Sequence, residues 1–346
     1  MKSISIIALS LFAVISLAGF AAEDDRSHQG VFIKNPGADL WRDVRQRNFA
    51  MQGSSQVRSV DSNILINIKG DEWARFRVGT LVRFASITLL VIAGLLLLHY
   101  SISGKIKIEG GRCGRMLARF NDFERVVHWM LAIIFLFLAF TGLMLLFGRS
   151  VLIPLFGQEL FALLASASKE GHNLIGPIFL VSLVLIFIRF TARNMYASGD
   201  ISWLLNGGGV FGKSHVSGGF FNFGEKAWYW VVILAGLVIS VSGLILVMPS
   251  FGQGRVVMEI SHVVHAISAI ILIAGAMGHI YMATAGTEGT LEGMKTGYVD
   301  LKWAEMHHDQ WAQECLDNNM PISSEEFARL QGKTVDKPST AARNTG

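Results

Sequence analysis

Ten histidines occur in this chain of 346 residues, and six of them, His99, His128, His172, His262, His265 and His279, fall within or at the edges of long apolar runs. An ionisable ring among apolar residues is costly, which points to a function. Neutral imidazole nitrogen is a strong axial ligand for haem iron, and two such ligands close the coordination sphere, which suits electron transfer. For any single ring the bland alternative is a core histidine hydrogen-bonded to a neighbouring helix, but four at matched depths favour ligation. His265 and His279 are fourteen residues apart, about 21 Å of rise and almost four full turns, so both project from nearly one helix face. One helix can thus ligate two stacked cofactors.

The elements that position these rings are membrane spans. The chain is 51% hydrophobic and only 16% charged, too apolar for an ordinary soluble domain of its size. Lys2, an apolar run from Ile4 to Phe20, and small residues up to Ala21 before Glu23 read as a signal peptide over 1–21. Residues 22–78 then form a periplasmic segment of mixed charge. Five stretches, about 81–99, 126–147, 173–190, 227–248 and 261–284, have the roughly 20 residues a spanning helix needs. The expected fold is an all-α membrane protein with one extra N-terminal transmembrane helix over 79–100, a bundle over 115–285 and a cytoplasmic tail over 286–346.

Lys105, Lys107, Arg112, Arg115, Arg119 and Arg125 crowd the loop after the first span, whereas the next loop carries only Arg149 and Lys169. The positive-inside rule places the former in the cytoplasm, with the N-terminus periplasmic and the tail cytoplasmic in a bacterial inner membrane. This orientation puts His128 and His279 towards the cytoplasm and His172 and His265 towards the outside, giving the pairs His128 with His279 and His172 with His265.

Other signals are weaker or exclude functions. The net charge of +4 comes from loop residues that set topology, so no nucleic-acid partner is implied. Cys113 and Cys315 belong to no Cys-x-x-Cys-His sequence, which rules out covalent haem attachment and leaves no disulfide framework. No nucleophile elbow, P-loop, dinucleotide-binding motif or intramembrane carboxylate pair is present, so bond-making chemistry belongs to another subunit and this chain carries electrons. Gly142, Gly176, Gly236, Gly243, Gly275 and Gly278 are available to line a haem-bearing bundle. His262 reads as structural and water-facing, His99 as interfacial, and His307 and His308 as polar-tail residues with little claim to metal. Trp129 and Trp230 each stand thirteen residues before the glycine of a small-Gly-Leu step, Thr141-Gly142-Leu143 and Ser242-Gly243-Leu244, the mark of a duplicated hairpin.

Several segments together resemble the formate dehydrogenase gamma subunit: Phe120-Asn121-Asp122 to His128-Trp129, His172 to Arg189-Phe190, Trp203-Leu204-Leu205-Asn206, and His265 to His279-Ile280-Tyr281-Met282-Ala283. The likeness runs over about 115–312 and includes Asn222-x-Gly224 and a tail pattern from Gly293-Met294 through Trp303 to His307-His308-x-x-Trp311. It implies a four-helix cytochrome b bundle with two b haems on His128, His172, His265 and His279. It also implies a periplasmic molybdenum or tungsten catalytic subunit, an iron-sulfur subunit, and menaquinone bound beside Asn222, Gly224 and His279. Glu225 reads as a solvated loop carboxylate. The cytochrome b of a membrane-bound nickel-iron hydrogenase or thiosulfate-type reductase would share this logic, though the tail and Asn222-x-Gly224 favour formate dehydrogenase. A transporter using its histidines for protons or metal is the reading of another class, which a b-type spectrum separates.

Overall fold

A computed structural model describes residues 69–209, 217–248 and 251–332, together with Arg45. The expected signal peptide, most of the expected 22–78 segment and the end of the tail lie outside the described residues, and residues 70–78, expected before the first span, are helical and continuous with it. The helices are α1 (Gly70–Arg75), α2 (Val82–Ser103), α3 (Asp122–Phe190), α4 (Asp200–Leu205), α5 (Phe223–Val247), α6 (Arg255–Tyr281), α7 (Thr290–Thr296), α8 (Leu301–His307), α9 (Asp309–Asp317) and α10 (Ser324–Leu330). A π-helical turn, Phe76–Leu81, joins α1 to α2 without a break. Four runs, Gly70–Ser103, Asp122–Asn194, Phe223–Val247 and Arg255–Gly286, are long and apolar enough to cross a membrane.

The 69 residues of α3 would extend about 100 Å at 1.5 Å per residue, far more than the roughly 30 Å of a hydrocarbon core. Gly157 resolves this, because its φ of 82° and ψ of 170° turn the chain and divide α3 into arms 122–156 and 158–190. Contacts converge on that turn from both sides: Gly148 lies against Phe161, Gly142 against the His172 ring, and Ser168 donates to the Met144 sulfur. Farther out, Phe135 meets Phe179, with ring centres 6.5 Å apart, and Glu124 meets Arg189. Residues 148–172, expected as a loop, are therefore mostly helix. They lack the unbroken apolarity of a span but contain nothing that stops a helix except Pro154 and Gly157.

The long helices α3 and α5 start with the same device. Asn121 Oδ1 accepts from Glu124 N at 2.9 Å while Glu124 Oε2 accepts from Asn121 N at 3.0 Å. One hundred and one residues later, Asn222 Oδ1 accepts from Glu225 N and Glu225 Oε2 accepts from Asn222 N, each at 3.0 Å. These are reciprocal capping boxes, and losing such a cap costs about 1 kcal/mol.

The chain divides into two compact units. The first holds the described residues up to Thr88, with Phe140–Pro177 and Leu237–Ile271, and so includes His172 and His265. The second holds Leu89–Ala139, Ile178–Gly236 and the residues from Leu272 onwards, and so includes His128 and His279. In the second unit β1 (Arg115–Ala118) is the centre of an antiparallel sheet in the order β2-β1-β3, with β2 at Tyr298–Asp300 and β3 at Ile322–Ser323. This sheet departs from an all-helical expectation. Its core packs Leu117, Val299, Trp303, Trp311 and Cys315, all buried, and burying each large apolar side chain contributes roughly 1.5–3 kcal/mol.

Candidate functional site

In the first unit the rings of His172 and His265 face each other with centres 6.1 Å apart at 69°. Each ring is held from behind. Thr141 Oγ1 lies 2.8 Å from His172 Nδ1, and Ser242 Oγ lies 3.3 Å from His265 Nδ1. His265 Nδ1 is also 3.0 Å from the Ile239 carbonyl oxygen, which can only accept, so Nδ1 carries the proton and Nε2 keeps its lone pair. The following glycines let the rings approach: a Cβ on Gly142 would stand 3.4 Å from His172 Cε1, and one on Gly243 would stand 3.1 Å from His265 Cε1.

In the second unit the rings of His128 and His279 have centres 6.2 Å apart at 57°. His279 is stacked by Trp228 at 5.7 Å and 23°, and Trp228 in turn lies over Gly275, where any Cβ would collide with it. His128 Nδ1 is buried and has no hydrogen-bond partner among the described residues.

Both separations suit one metal ion between two imidazoles, because metal–nitrogen bonds of about 2.0–2.1 Å plus roughly 1.1 Å from nitrogen to ring centre on each side place the centres about 6.2 Å apart. The surroundings suit a broad flat group. Although each ring sits within an apolar helix, His279 is exposed and the other three are half-buried. Gly176, one turn after His172, and Gly278, beside His279, meet nothing within 4 Å where a Cβ would project. No cluster of three or more His, Cys, Asp or Glu side chains able to hold a bare ion exists among the described residues. The geometry thus fits a group that needs only two protein ligands, as haem does.

The remaining predicted residues separate into two sets. Asn222 serves the capping box, and Gly224 is the place where the Trp203 ring comes close, 2.9 Å from a Cβ there. His279 packs against the rings of His128 and Trp228.

Glu225 is no solvated loop carboxylate: it lies in the first turn of α5, its Oε1 accepts from Arg119 Nη2 at 3.1 Å, and its Oε2 is 3.7 Å from His308 Nε2. Arg119 is buried, with Phe120, Phe220, Phe221, Trp303 and Trp311 ring centres 4.9–5.7 Å from its Cζ. Burial lowers its pKa, opposed by Glu225. His308, expected among polar tail residues, is 1% exposed, and its Nδ1–H donates to the Gly219 carbonyl at 2.9 Å. Burial, reinforced by Arg119, holds its pKa well below the ordinary range. His307 packs on Trp303, His262 is met edge-on by Trp73, and His99 Nδ1 is 2.7 Å from the Tyr281 hydroxyl. Residue types alone did not single out Trp228, Arg119 or the hydroxyls of Thr141 and Ser242; the signal for the hydroxyls was the repeated small-Gly-Leu step itself.

Comparison with known proteins gives a consistent answer. The family described as prokaryotic cytochrome b561 matches residues 119–297, just over half of the chain. The nitrate-inducible formate dehydrogenase cytochrome b556(Fdn) subunit of Escherichia coli K12 is 31% identical over 218 residues, covering 61% of this chain and 97% of the relative. The formate dehydrogenase cytochrome b556(fdo) subunit of the same organism is 30% identical over 202 residues, covering 57% and 92%. The formate dehydrogenase cytochrome b556 subunit of Haemophilus influenzae is 29% identical over 214 residues, covering 60% and 87%. The resemblance read from the motifs is borne out: the chain belongs to the prokaryotic cytochrome b561 family, with formate dehydrogenase cytochrome b556 subunits among its relatives.

Proposed function

We propose that this chain is the dihaem cytochrome b subunit of a respiratory formate dehydrogenase in the bacterial inner membrane, conducting electrons from a periplasmic iron-sulfur subunit to menaquinone on the cytoplasmic side. The observation that carries this reading is the pair of facing histidine pairs, 6.1 and 6.2 Å between ring centres, both drawn from the same two helices α3 and α6. The family implies haem b, and bound there it would supply reversible one-electron transfer. His172 with His265 would hold the outer haem and His128 with His279 the inner one, and two imidazoles on each iron exclude oxygen or substrate from it.

Thr141, Ser242 and the Ile239 carbonyl orient the outer rings by hydrogen bonds, while Trp228 orients His279 by stacking. Asn222 and Gly224 would border the quinone together with His279, and the catalytic molybdenum or tungsten subunit would oxidise formate. The run Gly70–Ser103 would be an additional span beyond the four-helix bundle. The chain itself makes and breaks no substrate bond.

The test is a reduced-minus-oxidised visible spectrum with pyridine haemochrome quantification on the complete complex. Two b haems per chain, both reduced by formate, are expected. His265→Ala and His128→Ala should each leave one haem, and unchanged haem content in either would overturn the pairing. A colourless protein would point to the transporter reading.

A further inference from the structure

Several charged side chains at the Asp122 end of α3 pair one to one, but Glu124 does not. In the second unit Arg119 meets Glu225, Lys226 meets Asp200 at 2.9 Å, and Arg125 meets Asp122 at 2.8 Å, one cation to one carboxylate. Glu124 has two. Its Oε1 lies 3.0 Å from Arg189 Nη2 and 2.9 Å from Arg193 Nη1, while its Oε2 is occupied by the Asn121 N–H. The carboxylate is only 1% exposed, and the two guanidinium side chains are 36% and 34% exposed. Among the described residues Glu124 is the one carboxylate that pairs with either arginine, so the cluster of three carries a net positive charge at the edge of an apolar bundle, where charge is poorly solvated.

The contact between Arg193 and Glu124 is a charge contact without hydrogen-bond alignment: Arg193 Nη1 and Glu124 Oε1, 2.9 Å apart, are both buried and neither has an aligned hydrogen-bond partner among the described residues. A buried donor left unpaired costs about 1–3 kcal/mol, and such a group calls for an acceptor. The guanidinium is not free to swing away, because its Cζ lies 4.7 Å from the centre of the Phe220 ring.

The position of this charge is informative. Glu124 is four residues before His128 on α3, hence on the same helix face about 6 Å away along the axis. Arg189 and Arg193 thus flank the side of the His128–His279 pair that lies towards the helix start. Haem b carries two carboxylates at its periphery, and a guanidinium is the group best shaped to take a carboxylate through two parallel hydrogen bonds.

We infer that Arg189 and Arg193 bind a carboxylate of the haem held by His128 and His279, with Glu124 serving to hold the two guanidinium groups in place. This rests on the haem assignment proposed above. An anionic oxygen could also come from a phospholipid phosphate, and the one-turn separation from His128 favours the haem. A guanidinium against that carboxylate cancels negative charge beside the iron and so favours the reduced state; Arg193→Gln should lower the potential of the inner haem alone.

The test is a redox titration of the purified complex, followed in the visible α-band, with pyridine haemochrome quantification and resonance Raman spectra of the haem carboxylate modes. In Arg193→Gln the reduced-to-oxidised ratio of one haem at fixed potential should fall about tenfold, or about 59 mV for a one-electron couple. Its carboxylate mode should shift while the second haem is unchanged. Arg193→Lys, which keeps the charge and loses the planar fork, should recover most of the potential but not the mode. Selective loss of one haem in Arg193→Gln would support the same conclusion. Unchanged potentials and modes at full haem content would overturn it, as would loss of bound phospholipid with both haems unaltered. If Arg193→Gln loses both haems, Arg193→Lys decides: a native carboxylate mode in it overturns the inference. Full haem content in His128→Ala would instead sink the underlying haem assignment, whatever the arginine variants show.

Discussion

The two histidine pairs have nearly equal ring separations but are held by different physics. In the first unit His172 and His265 are tethered through Nδ1 to a hydroxyl, and His265 also to a carbonyl, with Gly142 and Gly243 making room for the rings. In the second unit His128 Nδ1 is buried without a partner among the described residues and His279 is located by the face of Trp228. Hydrogen bonding at Nδ1 makes an imidazole a more basic ligand, which favours the oxidised metal. A ligand fixed by stacking gains no such basicity. Ring placement and ligand strength are thus separable, and with haems bound as proposed the first site is expected to have the lower potential.

Bulk at the glycines should break the symmetry most sharply. Gly243→Val would drive a side chain into the His265 ring, already 3.1 Å from a Cβ, at a cost of about 1–3 kcal/mol of overpacking, and haem quantification should show one haem lost. Gly275→Val would displace Trp228 at similar cost and loosen the His279 ring without entering its space, so less haem should be lost than in Gly243→Val while the melting temperature falls. Equal haem loss in both variants would show that stacking matters as much as tethering.

Smaller effects should follow from the hydroxyls. Thr141→Val or Ser242→Ala removes one hydrogen bond worth about 1 kcal/mol, somewhat less than the roughly 59 mV of a tenfold change. Redox titration should find the lower potential raised by that amount and the higher one unmoved. A shift in the higher potential instead would reverse the order assigned to the two sites.

The mildest expectation concerns pH. His308 is neutral in the fold because burial and Arg119 depress its pKa below the ordinary 6.5. The unfolded chain therefore takes up this proton at higher pH than the folded one. Its contribution to stability is complete above about 6.5 and is lost as pH falls towards the folded value. Tryptophan fluorescence from Trp303 and Trp311 should report loosening of the tail on acidification, with the spectrum of the outer haem unaffected. His308→Gln should flatten that dependence.

Much of this arrangement was legible in the chain because intramembrane chemistry is conspicuous. The four histidines stood out against apolar neighbours, and the relation between Trp129 and Trp230 already marked the repeat whose Thr141 and Ser242 hydroxyls reach the His172 and His265 rings. The capping boxes could have been found too, since Asn121-x-x-Glu124 and Asn222-x-x-Glu225 are spelled out. What was not legible depends on distant partners. The helical reach of residues 148–172 follows from the single turn at Gly157, and the sheet joins Arg115–Ala118 to strands nearly two hundred residues away. The burial of His308 comes from Trp303, Trp311 and Arg119 closing around it, which no local pattern of polar residues announces.

The spacing of 101 residues between the two capping boxes also has an evolutionary consequence. Phe120, Asn121, Glu124, Trp129, Gly142 and Leu143 each have an identical residue 101 places on, as two copies of one ancestral segment would. The counterpart of His128 by that count is Tyr229, whose hydroxyl sits 2.6 Å from Thr191 Oγ1. At that position α5 thus carries a tyrosine where α3 carries a histidine, while α6 supplies the opposing histidine to both pairs. The two halves thus keep the same caps and the same small-Gly-Leu step while dividing the histidines unequally along their helices: α3 places its two in separate arms, and α6 carries both of its own on one helix.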